Sequence, residues 1–206
     1  LVKVNKKLPF FELPIFTDFE IFNEENLINE TNYFLFCGSA GYFDTIKFII
    51  DSFTASLLNS KLVLIINGNK NQIERVLSYI NDFSTKKDII CKSNLTYRNL
   101  VGYYKNSKAL LIPLNPGVKD AARFPHKIAE YCASRRPIIS SNHGEVKKFF
   151  KHKKNALLVN NHKIKELNNL MKYVEDNPVI ADEIGLESYS LGYEKFNYEK
   201  YGIKII

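Results

Sequence analysis

Residues 124–139 run Phe124-Pro125-His126-Lys127-Ile128-Ala129-Glu130-Tyr131-Cys132-Ala133-Ser134-Arg135-Arg136-Pro137-Ile138-Ile139. The spacing predicts a turn, a short helix and a buried strand. Ile128, Tyr131 and Cys132 fall at i, i+3 and i+4, so they share one helix face and can bury it. Lys127 and Glu130 are three apart and share another face. Pro125 suits the first helical turn, where its missing N–H is no loss. Pro137 ends the helix and leads into the apolar pair Ile138-Ile139. A helix that opens after a loop, with a cation and a carboxylate on one side, has the parts of a nucleotide site. Its N-terminal amides attract phosphate, and its carboxylate can accept from ribose hydroxyls.

Upstream, Tyr33 to Cys37 is a continuous apolar run closed by Gly38-Ser39-Ala40-Gly41, which suits a strand buried on both faces of a parallel sheet. Ile46, Ile49, Ile50, Phe53 and Leu57 then predict a helix over 43–58. Strand, glycine turn and helix open a βαβ unit. The turn is not a G-x-G-x-x-G fingerprint, so a phosphate or sugar contact at Gly38 and Ser39 and a plain tight turn both stay open. Leu62 to Ile66 is a second run, closed by Asn67-Gly68-Asn69 and followed by a helix over 71–81. A short strand over 88–91 and a helix over 94–107 come next. Ala109 to Leu114 is the fourth strand, and 115–123 is a loop in which Pro116-Gly117 marks a turn. A fifth strand over 138–140, a short helix over 146–150, a sixth strand over 155–159 and helices over 162–177 and 178–190 complete the chain.

Six strand–helix alternations predict an α/β fold with a doubly wound, mostly parallel six-stranded, Rossmann-like sheet. Residues 1–31, irregular and punctuated by Pro9 and Pro14, form an N-terminal arm or linker, and residues 32–206 the domain. Ligands of such sheets bind outside the carboxyl ends of the strands. Loop 115–123 therefore belongs to the site. Arg123 is a candidate phosphate ligand there, since guanidinium pairs well with phosphate oxygens; a solvated loop arginine is the plain alternative.

Composition excludes some classes. The 206 residues are 45% hydrophobic and 25% charged, ordinary for a globular domain. No apolar run approaches the roughly 18–20 residues needed to span a bilayer. The opening at Leu1 is polar and proline-containing, so a fragment or excised domain is expected rather than a signal peptide. Cys37, Cys91 and Cys132 sit in apolar surroundings without the spacing of a disulfide framework or zinc site, so buried reduced thiols of a cytosolic protein are expected. His126, His143, His152 and His162 are scattered, and no metal is expected. A net charge of +7 permits nucleic acid, anionic lipid or nucleotide partners and selects none of them. Lys147, Lys148, Lys151, Lys153 and Lys154, with Phe149 and Phe150, read as a solvated basic turn, with anionic lipid or nucleic acid as the alternative.

The run FPHKIAEYCASRRPII at 124–139 resembles the nucleotide-sugar-binding segment of GT-B fold glycosyltransferases. The similarity is to the C-terminal domain of glycosyl transferases group 1 (family 4-like), where F-P-x-K-[IL]-x-E-Y-[LM]-A-x-G-x-P-[IV]-[IV] is common. Neighbouring segments fall in family order: the strand before Gly38-Ser39, the L-x-I-x-G-x-G-like run through Gly68, Gly144-Glu145, and Asn155 to Val159. Tyr193, Phe196, Tyr198 and Tyr201 resemble the aromatic tail that crosses back to the partner domain. Three places depart. Tyr42, Phe43 and Asp44 stand where a basic pair usually follows the first strand. Of the Glu-x7-Glu motif, Glu130 is the second acid, but the first position is Ala122, with Asp120 the nearest acid. Arg135 replaces the glycine of A-x-G-x-P, where a left-handed residue costs about 1 kcal/mol unless the helix caps differently.

The resemblance implies one half of a GT-B enzyme. Its C-terminal domain would bind a nucleotide-diphosphate sugar for transfer to an acceptor held by a missing N-terminal domain. Glu130 would bind the donor ribose and Lys127 would lie near the diphosphate. Arg123, Gly38, Ser39, Gly68, His126 and Asp120 complete the candidate donor-binding set. No catalytic residue is assigned, and no cofactor beyond the substrate itself is implied. The acceptor expected is a glycan or lipid-linked saccharide of cell-surface polysaccharide synthesis. The expected location is cytoplasmic, with peripheral membrane contact left open and no nucleic acid partner. The missing acid at 122 leaves a second reading, a non-catalytic degenerate transferase domain that scaffolds a partner. A third is an unrelated flavodoxin-like or epimerase-like α/β domain.

Overall fold

The computed structural model describes residues 13–24, 28–55, 58–83 and 88–200. Pro9, Leu57 and Tyr201, used in the sequence reading, lie outside them, as does part of the arm over 1–31. After a 3₁₀ turn at Glu20–Asn23, the elements are β1 (Tyr33–Ser39), α1 (Phe43–Thr54), β2 (Lys61–Asn67), α2 (Lys70–Asn81), β3 (Ile89–Lys92), α3 (Tyr97–Asn106) and β4 (Ala109–Ile112). There follow α4 (Val118–Ala121), α5 (Lys127–Ala133), β5 (Ile138–Ser141), α6 (Val146–Phe149), β6 (Leu157–Val159), α7 (Ile164–Asp176) and α8 (Pro178–Phe196).

The strands form one sheet in the order β3-β2-β1-β4-β5-β6, and every neighbouring pair is parallel. The order runs outward from β1 on one side and from β4 on the other, so these two strands flank a reversal point. Strand side chains alternate between faces. Tyr33, Leu35 and Cys37 join Leu110, Ile112, α3 and α5 in one core, while Phe34, Phe36, Leu111, α1 and α7 build the other. Tyr33 to Cys37 is buried without interruption, as a central strand covered by helices on both faces must be. Burying each Leu, Ile or Phe contributes about 1.5–3 kcal/mol, so the middle strands carry much of the stability.

At the reversal point the strands part. The last β1–β4 register pair is Phe36 with Leu111, whereas β1 stays paired with β2 as far as Ser39 with Asn67. One residue past the parting, the Cys37 N–H donates to the Tyr131 hydroxyl at 3.0 Å. That bond fastens α5 beneath the end of β1. All three residues of the expected face, Ile128, Tyr131 and Cys132, are buried, and so are Ala129 and Ala133.

Several boundaries differ from expectation. The loop expected over 115–123 contains α4. The helix expected from 94 begins at Tyr97, because the Thr96 side chain caps it by accepting from the Asn99 N–H. Pro125 sits just ahead of α5 rather than in its first turn, and its carbonyl accepts from Ile128 N–H at 3.0 Å. Helix α8 runs on to Phe196 instead of ending at 190. The extra turns matter, because α8 clamps α5. A Cβ on Gly192 would overlap the Cys132 Cβ, and one on Gly185 would overlap the Arg135 carbonyl.

Arg135 adopts the left-handed conformation, with φ 62°. Its N–H donates to the Cys132 carbonyl at 3.2 Å, the helix-ending bond that a glycine usually makes. Its guanidinium lies 4.5 Å from the Tyr189 ring centroid and donates to Asn23 Oδ1 at 3.2 Å, contacts that offset the backbone cost. Phe19 and Phe22 of the arm are buried. Thr17 N–H donates to Phe196 C=O at 3.0 Å, and Tyr198 N–H to Thr17 C=O at 3.3 Å. The entering and departing segments therefore run side by side.

Two stability experiments follow from this packing. Alanine is the better helix former by about 1 kcal/mol, yet Gly192→Ala is expected to lower stability by about 1–2 kcal/mol through overpacking. Gly117→Ala, where nothing lies within 4 Å of the added atom, should be near neutral. Urea unfolding of the two variants decides; equal midpoints would remove the clamp. Arg135→Gly is expected to be more stable than Arg135→Ala by about 1 kcal/mol, the left-handed cost isolated from the shared loss of side chain.

Candidate nucleotide site

A cavity of about 540 Å³ opens over the reversal point. Gly38 and Ser39 reach it from the end of β1, Asn67 from the end of β2, and Pro113 from just past β4. Arg123, Pro125, His126 and Lys127 come from the approach to α5. Phe36, Ile65, Leu95, Leu100 and Ile112 give it apolar walls. Its place is the one that strand topology selects for ligands, the crevice at a switch point.

Two cations line the cavity. The Arg123 guanidinium carbon rests 4.5 Å from the centroid of the Tyr42 ring, so an aromatic from the β1–α1 turn supports it. Its Nε lies 3.0 Å from Asp120 Oδ1 but out of hydrogen-bond alignment, leaving that N–H without a partner among the described residues. Lys127 Nζ donates to Glu130 Oε2 at 2.9 Å, an i, i+3 pair on α5. Burial pulls the Lys127 ammonium down, but the charge of Glu130 and its hydrogen bond outweigh burial, and the net shift is upward. The sign follows: a raised lysine is fully charged below its ordinary range and gives up its contribution only as pH climbs through the raised value.

Glu130 stands behind Lys127 rather than in the cavity wall. Its Oε2 also accepts from the Tyr104 hydroxyl at 3.0 Å. Burial drives the Tyr104 hydroxyl well above its usual range, so it stays a donor. Burial likewise raises the Cys37 thiol at the cavity floor. His126 lines the cavity and is exposed. Ser39 Oγ accepts from Gly41 N–H at 3.1 Å and so tightens the turn after β1.

Asp120 and Gly68 sit elsewhere. Asp120 is buried; it accepts from the Asn115 N–H at 2.9 Å and pairs with Arg123. It lines a smaller neighbouring recess of about 220 Å³ with Tyr42, Asn115 and Lys119. Gly68 lines neither space. A Cβ there would come within 2.7 Å of Gln72 Oε1, which belongs to the capping box that Asn69 and Gln72 form at the start of α2. Helix capping and packing account for that glycine. Tyr42 and Tyr104 were not among the expected site residues. The position of Tyr42 in the first turn was a usable signal; Tyr104 carries none, being brought to Glu130 from another helix. Among the described residues no cluster of His, Cys, Asp or Glu could hold a metal, and no helix is long and apolar enough to cross a membrane.

Comparison with known proteins agrees with the topology. HepE from Anabaena, solved with UDP and glucose, superposes with a TM-score of 0.76 at 10% identity, covering 92% of this chain and 54% of that one. Sucrose-phosphate synthase from Thermosynechococcus elongatus gives 0.77 at 16% identity, covering 93% and 50%. The C-terminal domain of the LpcC glycosyl transferase group 1 family protein from Francisella tularensis gives 0.66 at 12% identity, covering 88% and 98%. The chain thus spans about half the length of the first two and nearly all of an isolated C-terminal domain. No curated protein matches it. The family model of glycosyl transferases group 1 matches residues 18–189, most of the chain, and the protein belongs to that family.

Proposed function

We propose that this domain binds the nucleoside diphosphate of a sugar donor in the cavity over β1 and β4, as one half of a GT-B glycosyltransferase. The observation that carries the reading is the sign of the lining: Arg123 and Lys127 face the cavity between apolar walls, and among the described residues no carboxylate lines it. A flat apolar body bearing a compact anion matches such a space. HepE, solved with UDP and with UDP-glucose, lends support from a shared fold.

In this scheme the two cations stabilise the charge that gathers on the departing diphosphate as the glycosidic bond breaks. The backbone at Gly38 and Ser39 lies beside it. Glu130, which stands behind Lys127, takes a ribose hydroxyl at the edge of the cavity rather than within its lining. Among the described residues no acid lines the cavity to activate an acceptor, and this scheme leaves that step to the acceptor or to the other half of the enzyme. The acceptor class, a glycan or lipid-linked saccharide, rests on family resemblance and on no residue of this domain. Ala122 and the engagement of Asp120 with Arg123 favour one second reading, a degenerate domain that binds without transfer. Turnover of a nucleotide sugar by the full-length chain would reject it.

Titration calorimetry with UDP, GDP and ADP tests the first reading. At least one is expected to bind, and Arg123→Ala to weaken it about tenfold, since a charge-assisted hydrogen bond is worth about 1.5–3 kcal/mol. No binding of any of the three at millimolar ligand would sink the proposal. A pH series adds an independent check. Wild-type affinity should stay level from about pH 7 to 9, where lysine is ordinarily charged. In Glu130→Gln the charge that holds the Lys127 ammonium is gone and burial remains, so affinity should fall as pH rises through that window. Parallel profiles would refute the coupling.

A further inference from the structure

Glu130 stands behind Lys127 at the edge of the cavity and is held there by two hydrogen bonds. Both of its hydrogen bonds fall on the same oxygen: Oε2 accepts from Lys127 Nζ at 2.9 Å and from the Tyr104 hydroxyl at 3.0 Å. Among the described residues Oε1 takes no hydrogen bond. A glutamate has three side-chain torsions, and holding one in a single pose costs conformational entropy. Two donors on one oxygen, arriving from different elements, fix the plane of the carboxylate and leave the other oxygen to a ligand.

Tyr104 is itself held. It is buried, and its ring meets Tyr131 edge-on at 5.2 Å between centroids. A phenol has one proton to give. That proton goes to the Glu130 carboxylate. The Tyr131 hydroxyl meanwhile accepts from the Cys37 N–H. The end of β1 is thus tied to α5 through Tyr131 and α3 is tied to α5 through Tyr104, so the orientation of Glu130 reports the relative position of the two helices.

Resting on the proposed donor site, we infer that Tyr104 is a positioning residue that presents Glu130 Oε1 to the ribose hydroxyls of the bound nucleotide. Lys127 alone cannot do this, because it lies on the same helix and moves with Glu130. Tyr104 supplies the reference from outside that helix. A phenylalanine at 104 keeps the ring and the packing and removes only the hydroxyl.

The test is calorimetric and uses the chain as it stands. UDP, GDP and ADP are titrated together with their 2′,3′-dideoxy counterparts into wild type, Tyr104→Phe, Glu130→Ala and the double variant. Tyr104→Phe is expected to weaken the ribonucleotide about fivefold, the size of one modest hydrogen bond, and to leave the dideoxy form within about twofold. In the Glu130→Ala background it should change neither. Equal weakening of both sugar forms would show that Tyr104 serves the fold alone, and an unchanged ribonucleotide affinity would show that Glu130 needs no such support; either overturns the inference while the donor site stands. Binding without any preference for the ribonucleotide removes Glu130 from the sugar and this role with it. Failure of wild type to bind any nucleotide overturns the donor site and the inference together.

Discussion

The Tyr131 hydroxyl under the Cys37 N–H is the contact around which this domain is arranged. Strands β1 and β4 must separate, because the chain winds outward from them in opposite directions, and separation leaves a backbone donor in a buried place. An unpaired buried N–H costs about 1–3 kcal/mol. Supplying the acceptor from α5 removes that cost and fixes α5 against the sheet. Lys127 lies one helical turn before Tyr131, so the same contact sets the cation at the mouth of the crevice. The opening between the strands and the charge at its edge are thus two results of one constraint.

Charge near the cavity is sorted by layer. Arginine and lysine line the space, while the carboxylates of Asp120 and Glu130 stand outside its lining and are paired with them. The Glu130 pairing favours the charged form of Lys127 without putting negative charge where an anion would sit. Arg123 is only half answered by Asp120, since the contact is close but misaligned, and its guanidinium lies on Tyr42. The tyrosine stands where family members often carry cations, so the turn after β1 acts here as a support for a cation that comes from the other side of the crevice.

The outer shell explains why a seven-residue helix can serve as a precise platform. Helix α5 is too short to be stable alone. It is held by Tyr131 from one side and by α8 from the other, where Gly192 leaves no room for a side chain against Cys132. The left-handed Arg135 then turns the chain sharply into β5, and its side chain secures the arm and α8 in place of the freedom a glycine would have given.

What the sequence determined by itself was the alternation of strands and helices, the burial of both strand faces, and the segment at 124–139 as one whose start borders the crevice. These depend on period and on local chemistry, which short stretches carry within themselves. The family order of segments was legible for the same reason. The roles of Tyr42, Tyr104 and Tyr131, the withdrawal of Asp120 from the main cavity, the employment of Gly68 in capping, and the length of α8 were decided by tertiary structure alone. Each depends on which groups meet across a distance in sequence: Tyr104 and Glu130 lie 26 residues apart and Cys37 and Tyr131 lie 94 apart. No local pattern encodes a hydrogen bond between side chains brought together only when the sheet closes and α5 docks beneath it.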